Sequence, residues 1–557
     1  MESNPENFIE QIIKEDISNG FNTKNLKFRF PPEPNGYLHI GHAKAIGLNF
    51  GLGVKYKAPV NLRFDDTNPE NEDVEYVKAI KEDILWLGYN WAKETYSSDN
   101  FAQLYEWAVE LINKNKAYID SQPSEEIALQ KGTPTKLGTN SPFRNRSIEL
   151  NLKLFEQMKN GEFKEGLHVL RAKIDMSHPN MLMRDPVIYR VINKQHHRTS
   201  GKWKIYPMYD WAHGQCDYIE QISHSLCSLE FKPHRELYEW FIKSIEGLDT
   251  TLKILPKQRE FARLNLSYTI MSKRKLSVLV EKEVVDGWDD PRMPTLSGLR
   301  RRGFTPKSIR TFISKVGIAK RENIIDVSLL EFCVREDLNK EANRKMVVLD
   351  PLKLTIRNYP DDKVEKLFSE DNPEKENTSS REMSFAKNLY IEREDFKEEA
   401  GRKFFRLTIG KEVRLKSAYI IKAVDIVKDD KGLVQEVICE YDPKSKSGSN
   451  TEESLRKVKG TLHWVTQSHS IDVTINNYDR LFKTEAPGEN ESGDFLKDLN
   501  PNSLTIVKAK AEPSLAKAKP GQSFQFQRKG YFIADKSSAQ NNLIFNKTVG
   551  LRDSWKK

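Results

Sequence analysis

Residues 29–44 read Arg29-Phe30-Pro31-Pro32-Glu33-Pro34-Asn35-Gly36-Tyr37-Leu38-His39-Ile40-Gly41-His42-Ala43-Lys44. Phe28, Arg29 and Phe30 suit a buried strand, the run from Pro31 to Gly36 forces a turn, and apolar spacing resumes at helical period from Leu38 through Ile46 to Phe50. A strand therefore runs through a proline-rich bend into a helix. His39 and His42 fall three residues apart on the helix's first turn, where free backbone N–H groups and the positive dipole end favour anions. Gly41 between them has no side chain, so a flat ring or a phosphate can approach the backbone closely. Taken alone, His-x-x-His is more simply two surface histidines or half a metal site.

Outward from this stretch, Val60 to Phe64 reads as a second strand that ends in Asp65-Asp66-Thr67-Asn68-Pro69. Carboxylates at the end of a parallel strand face the ligand crevice of a doubly wound sheet, and Asp-Asn-Pro is equally ordinary turn chemistry. Val74, Val77, Ile80, Ile84 and Leu87 then form a helical stripe, which completes a strand, helix, strand, helix order. This is the pattern of a nucleotide-binding half. Ser98-Asp99 caps a further helix whose Phe101, Leu104, Tyr105, Ala108, Leu111 and Ile112 share one face. Over 101–204 the alternation is lost and a basic, turn-rich piece at 131–146 appears, as expected of an inserted domain. Trp203 to Asp210 restarts the buried-strand pattern, with Tyr209 near its end, and the second half of the sheet is expected there.

The 557 residues leave room for several domains of ~100–200 residues each. With 30% charged residues and a mean hydropathy of −0.65, no apolar run approaches the ~18 residues of a membrane span. The first twenty residues mix acids with an amphipathic stripe of Phe8, Ile9, Ile12 and Ile13, unlike a targeting peptide. A cytoplasmic location is expected. Cys216, Cys227, Cys333 and Cys439 make no Cys-x-x-Cys pair, so neither disulfides nor a structural metal is expected. The net charge of +9 permits a polyanionic partner without demanding one.

Met271-Ser272-Lys273-Arg274-Lys275 reads alone as a solvated basic loop. Helical patterns follow from Leu296 to about Asn339. They include Arg300-Arg301-Arg302, which suits a solvated face or a phosphate contact equally. After Met346 the period changes to two: Val413 with Leu415, Val424 with Ile426, and Val437 with Cys439 and Tyr441 alternate around a turn at 429–432. The polar segments 361–382, 443–453 and 484–494 read as exposed loops.

Pro31 to His42 resembles the first signature of the class I aminoacyl-tRNA synthetases, in the form used by their glutaminyl and glutamyl subfamily. Met271-Ser272-Lys273-Arg274-Lys275 resembles the second, with Ile270 and Arg274 departing from the commonest form. Likeness continues through Met183 to Arg190, Tyr206 to Asp210, His224 to Phe231, Arg263 to Leu266, 406–416, Tyr478 to Phe482, 524–531 and Val549 to Asp553. The resemblance implies an α/β plus all-β fold: a doubly wound Rossmann-like catalytic domain with an inserted acceptor-stem domain, a helical subdomain and two C-terminal anticodon-binding β-barrels. The implied boundaries are 26–100 with 205–262 for the catalytic domain, 101–204 for the insertion and 263–342 for the helical part. The proximal barrel would take 343–360 with 464–557, and the distal barrel 361–463.

The implied reaction has two steps, attack of glutamine's carboxylate on the α-phosphate of ATP and then attack by the terminal ribose hydroxyl of tRNA(Gln). Such displacement needs position and countercharge more than covalent help. By this resemblance His39, His42 and Lys273 are catalytic, and Mg²⁺ arrives with the ATP phosphates. ATP would lie over Glu33, Pro34, Asn35, His39, Ile40, Gly41, His42, Ala43, Lys44 and Ala45, with Ser228, Arg263, Leu264, Met271, Ser272 and Lys273. Arg29 would hold glutamine's carboxylate, Asp65 its ammonium and Tyr209 its side-chain amide, beside neutral Cys227 and Gln258. A glutamate pocket would need a cation there. Arg344, Arg406, Arg414, Gln525 and Arg528 match anticodon contacts, suited by flat donor arrays to splayed bases. Pro134, with Leu137 nearby, and Pro233 stand where the family's usual acceptor-stem residues differ, and Phe405 replaces a basic residue. A glutamate-charging enzyme and an inactive RNA-binding relative are the competing readings, and a monomer is expected.

Overall fold

The computed structural model describes residues 6–70 and 72–552. The chain forms two compact units, one of residues up to Asn265 with Ile313–Ile325, the other of Leu266–Phe312 with the chain from Asp326 onward. Among the described residues, no helix is long and apolar enough to cross a membrane. Asp553, part of the C-terminal likeness, lies outside the described residues.

In the first unit Phe28–Phe30, Val60–Phe64 and Lys93–Tyr96 form a parallel sheet, with Phe28 beside Val60 and Phe64 beside Tyr96. All five residues of Val60–Phe64 are buried, the continuous run that a strand covered on both faces requires. Helices Ile40–Tyr56 and Val74–Trp86 make the crossovers. On the other side of Phe28–Phe30 lies the parallel pair His224–Ser228 and Lys257–Phe261, whose start is tied to it by the Ser223 N–H donating to Lys27 O at 3.0 Å. The strand order thus reverses beside Phe28–Phe30. In doubly wound sheets the crevice at such a switch point holds the ligand.

Several expectations change in detail. Ile205–Pro207, expected to restart the parallel sheet, pairs antiparallel with Val187–Val191 in a separate sheet that also holds Ala117–Asp120 and Val169–Ala172. Pro207 has no N–H to donate and closes the edge of that sheet. Tyr209 opens the helix Tyr209–Ile219 instead of ending a strand. Asp99 accepts the Tyr96 N–H and so caps the 3₁₀ turn Ser97–Asn100; the helix Phe101–Asn113 follows that turn. Val74 is 63% exposed, leaving Val77, Ile80 and Ile84 as the buried stripe.

The second unit carries two seven-stranded sheets. In one, Asn343–Lys345 and Val347–Val348 are the two edge strands; in the other, Thr461–Leu462 and Val465–Thr466 are. Each pair of edges is separated by only one or two residues, so each sheet must curl until its edges meet, which is the geometry of a barrel. Met346 and Trp464, the residues at these closures, are both fully buried in one hydrophobic core. Pro351–Ile356 pairs with Asn388–Glu392 and Val434–Tyr441. The chain therefore enters the second barrel before Pro351, earlier than the expected 360, and Val465–Thr466 still belongs to it. The segment 361–382, expected as a loop, contains most of a hairpin of Glu365–Glu370 and Ser380–Phe385 with Leu367 and Met383 inside. Lys273, expected in a mobile loop, is the first residue of the helix Lys273–Glu281.

Candidate functional site

The strand-turn-helix at 28–56 places two imidazoles at a helix start. His39 is the N-cap of Ile40–Tyr56 and His42 its third residue. The Gly41 N–H donates to His39 Nδ1 at 3.0 Å, and the His39 N–H donates to His42 Nδ1 at 3.0 Å. The two rings thus form a reciprocal cap, and the backbone donors expected to be free for anions are partly taken by them. A backbone N–H can only donate, so both Nδ1 atoms are acceptors and each neutral ring carries its proton on Nε2. Burial lowers His42 to about 4, and burial together with His42 keeps His39 well below its usual value. Two neutral rings with fixed Nε2–H donors result. Lys44, on the same helix, donates to Ala262 O at 2.7 Å; burial lowers its amine to about 8. The helix is thereby tied to the segment that leads into Arg263 and Leu264.

Around this start, Asn35 donates to Glu33 at 2.6 Å, and Pro34, Ile40, Ala43 and Leu264 are buried while Ala45 is half-buried. Ser228 donates to Glu230 at 2.8 Å, and Arg263 bridges Glu230 at 3.0 Å and Glu322 at 3.1 Å. In the second unit Met271 is half-buried and Ser272 and Lys273 are exposed. The first turn of that helix holds no acid, so Lys273, Arg274 and Lys275 crowd cations at its positive end, which an anion would relieve.

The amino-acid residues expected from sequence come together in the first unit. Every guanidinium nitrogen of Arg29 is engaged: Nε with Asp217 at 3.0 Å, Nη1 with Leu226 O at 2.9 Å, and Nη2 with Ser225 Oγ at 2.5 Å and His213 Nε2 at 2.9 Å. Arg29 is fully buried, so a substrate carboxylate reaches it only by displacing one of these partners. Asp65 accepts from Arg63 Nε at 3.1 Å, Ser97 Oγ at 2.8 Å and His213 Nδ1 at 3.3 Å. Burial alone would raise Asp65, but Arg63 and His213 more than offset it and hold the carboxyl below its usual range. Burial likewise opposes the charge on Asp217, yet Arg29 and Arg63 hold it far below that range. Tyr209 stacks on His213 with ring centroids 4.9 Å apart; burial and Asp65 keep it a phenol.

Cys227 pairs in register with Glu260, and Ser225 with Gln258, so all four side chains share one sheet face. Gln258 donates its amide to Phe231 O at 3.0 Å and to Glu260 at 2.9 Å. Burial pushes the Cys227 thiol far up, so it is a neutral neighbour. A cation does stand here. Arg235 Nε donates to Glu260 at 3.0 Å, with a second, closer contact from Nη2, and the pair is neutral as a whole. Arg63, His213, Asp217, Arg235 and Glu260 went unnoticed in the sequence. The spacing of Tyr209, His213 and Asp217, four residues apart on one helix, was the available signal.

Asp66, His196 and His197 bring ligand-type atoms close enough for a metal ion, with Glu72 beside them. His196 Nδ1 accepts the N–H groups of Arg198 and Thr199, so its Nε2 keeps the proton that it gives to Asp66 O at 2.9 Å and offers no lone pair. His197 turns Nδ1 toward Glu72 at 3.4 Å and Nε2 toward Asp66 at 3.8 Å. The bond from His196 Nε2 to Asp66 O braces the loop after Val60–Phe64 against the segment before Ile205–Pro207.

In the second unit the expected anticodon residues fall into two groups and one outlier. Arg344 and Tyr531 meet at Asn339 Oδ1, at 3.3 and 3.2 Å, and Gln525 donates to Tyr531 at 2.9 Å. Arg528 grips Asp395 through both Nη atoms, at 2.6 and 2.7 Å, and Arg406 lies 3.3 Å from the same carboxylate. Arg414 instead braces a loop through Ser445 O, Ser447 Oγ and Ser454 O. Phe405 is 52% exposed with the Lys459 ammonium 5.4 Å from its ring. Of the arginine run whose role the sequence left open, Arg301 pairs with Asp535 and Arg302 donates to Thr548 O and Tyr478 O. Those two are internal struts.

The catalytic-domain model of the tRNA synthetases class I (E and Q) matches residues 25–340. Two anti-codon binding domain models of the same class match 342–442 and 461–535. A glutamine–tRNA ligase of Rhodopirellula baltica is 54% identical over 551 residues, covering 99% of this chain and 90% of its own. Glutamine–tRNA ligases of Enterobacter sp. and Pseudoalteromonas atlantica are each 52% identical, covering 100% of this chain and 99% of their own. The chain belongs to the class I tRNA synthetases of the E and Q family.

Proposed function

We propose that this chain activates L-glutamine with ATP to glutaminyl adenylate and transfers it to the 3′ end of tRNA(Gln), releasing pyrophosphate and AMP. The observation that carries this is identity above half, along nearly the whole chain, with glutamine–tRNA ligases. Mg²⁺ enters with the ATP phosphates as part of the substrate.

In this function His39 and His42 offer Nε2–H donors to phosphate oxygens as their charge grows, and Lys273 supplies mobile countercharge to the leaving pyrophosphate. Fixed tautomers favour this, because a neutral donor needs no proton rearrangement during the step. Glu33, Pro34, Asn35, Ile40, Gly41, Ala43, Lys44, Ala45, Ser228, Arg263 and Leu264 are the nucleotide contacts of the first unit, and Met271 and Ser272 those of the second. Asp65, held ionised, takes the glutamine ammonium, and Tyr209 takes the side-chain amide. Arg29 keeps Asp217 and Ser225 in place and meets the substrate carboxylate when one of its partners yields. Cys227 and Gln258 line the neutral end, where the Arg235–Glu260 pair withholds the cation that glutamate would need. Arg344, Arg406, Arg414, Gln525 and Arg528 read the anticodon. The catalytic, inserted, helical and two barrel domains divide near residues 100, 205, 263, 343, 350 and 467, and the protein acts as a cytoplasmic monomer.

Charging of tRNA(Gln) transcripts with labelled glutamine or glutamate tests the proposal. Glutaminyl-tRNA should accumulate while glutamate gives background. Equal or greater charging with glutamate, or none with either, overturns it.

A further inference from the structure

We infer that His213 is a positioning residue that makes Arg29, Asp65 and Tyr209 act as one amino-acid pocket; this rests on the glutamine pocket proposed above. His213 is 3% exposed and sits one helical turn after Tyr209 and one before Asp217. Its Nε2 lies 2.9 Å from Arg29 Nη2. A guanidinium only donates, so Nε2 accepts, and a neutral ring then carries its proton on Nδ1. That proton points to Asp65 Oδ2 at 3.3 Å. Arg63 Nη2, 3.2 Å from the same Nδ1, is then a packing neighbour and not a donor to it. The opposite tautomer would set Nε2–H against Arg29 and leave Asp65 Oδ2 without this donor.

One ring thus links the two charges expected to face the ends of the substrate's amino-acid group. Its flat face also carries Tyr209, with planes 19° apart. Asp65 Oδ1 is taken by Arg63 and Ser97, so Oδ2 is the oxygen left to meet an ammonium, and His213 sets its direction. Asp217 and Tyr238 pack beside the ring without replacing either bond.

The test uses full-length chain and tRNA(Gln), with glutamine, ATP and tRNA varied separately for the parent, His213→Phe and His213→Asn. Phenylalanine keeps the stack on Tyr209 and removes both hydrogen bonds. KM for glutamine should rise about tenfold or more, the scale of losing a charge-assisted bond, while KM for ATP and tRNA stays within about twofold. Asparagine, which returns a donor near the Nδ1 position, should recover part of the loss. A folded phenylalanine variant with the parent's glutamine KM, or equal loss in all three constants, overturns the inference. If the parent does not charge glutamine, the proposed function fails instead; ¹⁵N spectra of the His213 ring still decide the tautomer, and a proton on Nε2 overturns the positioning role whatever the substrate.

Discussion

Arg29 and Arg528 are both guanidiniums clamped by an aspartate, and they differ in what can loosen the clamp. Arg29 and Asp217 are wholly buried, with Arg63, Ser225 and Tyr238 completing the carboxylate's shell. Separating them would leave charges in a dry interior, which is strongly unfavourable. Arg528 holds an equally buried Asp395, but its own side chain is 30% exposed and that of Arg406 beside it 37%. Water or an RNA phosphate can reach the exposed side of these guanidiniums while they stay on Asp395. The same chemical contact is therefore sealed in the first unit and open to solvent on its arginine side in the second.

The largest effect on rate should come from the countercharge proposed for Lys273. Lys273→Ala should slow adenylate formation ~10²–10³-fold, the scale of losing one transition-state donor, with tRNA affinity nearly unchanged. Single-turnover rates within twofold of the parent would remove Lys273 from the chemistry.

Asp217→Asn breaks the buried clamp and should lower stability by about 3–5 kcal/mol, whereas Asp395→Asn should lose clearly less because Arg528 can return to water. Urea denaturation of both variants reads the difference, and equal losses would erase the contrast between the two clamps. The depressed Asp217 carboxyl contributes its stability above the unfolded-state value near 3.8, and loses it as pH falls further.

A smaller effect is expected at the neutral end of the pocket. Glu260→Gln releases Arg235, so the ratio of kcat/KM for glutamate over glutamine should rise by roughly tenfold, about 1.4 kcal/mol. An unchanged ratio in a folded variant would place Arg235 away from the substrate side chain.

A further prediction concerns pH. His42 stays neutral down to about 4 while its unfolded-state value is 6.5. The unfolded chain therefore gains a proton first, and stability should decline as pH falls from 6.5 toward 4. The activation rate should show no step near 6.5 from this ring. A step there that disappears in His42→Asn would contradict the reciprocal cap.

Much of this was legible because local chemistry and tertiary role agree. The Pro31 to Gly36 bend allows only a turn, and Val60, Leu62 and Phe64 mark one buried strand face, while Asn61 and Arg63 on the other are buried against Glu220 and Asp217. Ile205–Pro207 was misplaced because three apolar residues carry no mark of their partner strand. The hairpin at 365–385 was hidden by its charges: only Leu367 and Ser369 of Glu365–Glu370 face inward, and Phe368 points out at 66% exposure. Lys273 looked like a loop because three basic residues at a helix start oppose the dipole. His213, Asp217 and Glu260 stayed invisible because their partners come from strands and helices up to 188 residues away. Spacing within one helix placed Tyr209, His213 and Asp217 on a face without naming what they met.

The contrast between the sealed and the solvent-open clamp is tested most directly by a salt series on the full-length chain, reading tRNA(Gln) affinity and, at saturating tRNA, KM for glutamine. The account predicts that log affinity for tRNA falls steeply and linearly with log salt, while KM for glutamine moves less than about twofold because its charges lie beyond screening in the buried network. A flat tRNA line, or a glutamine KM that climbs in parallel with it, would contradict the account.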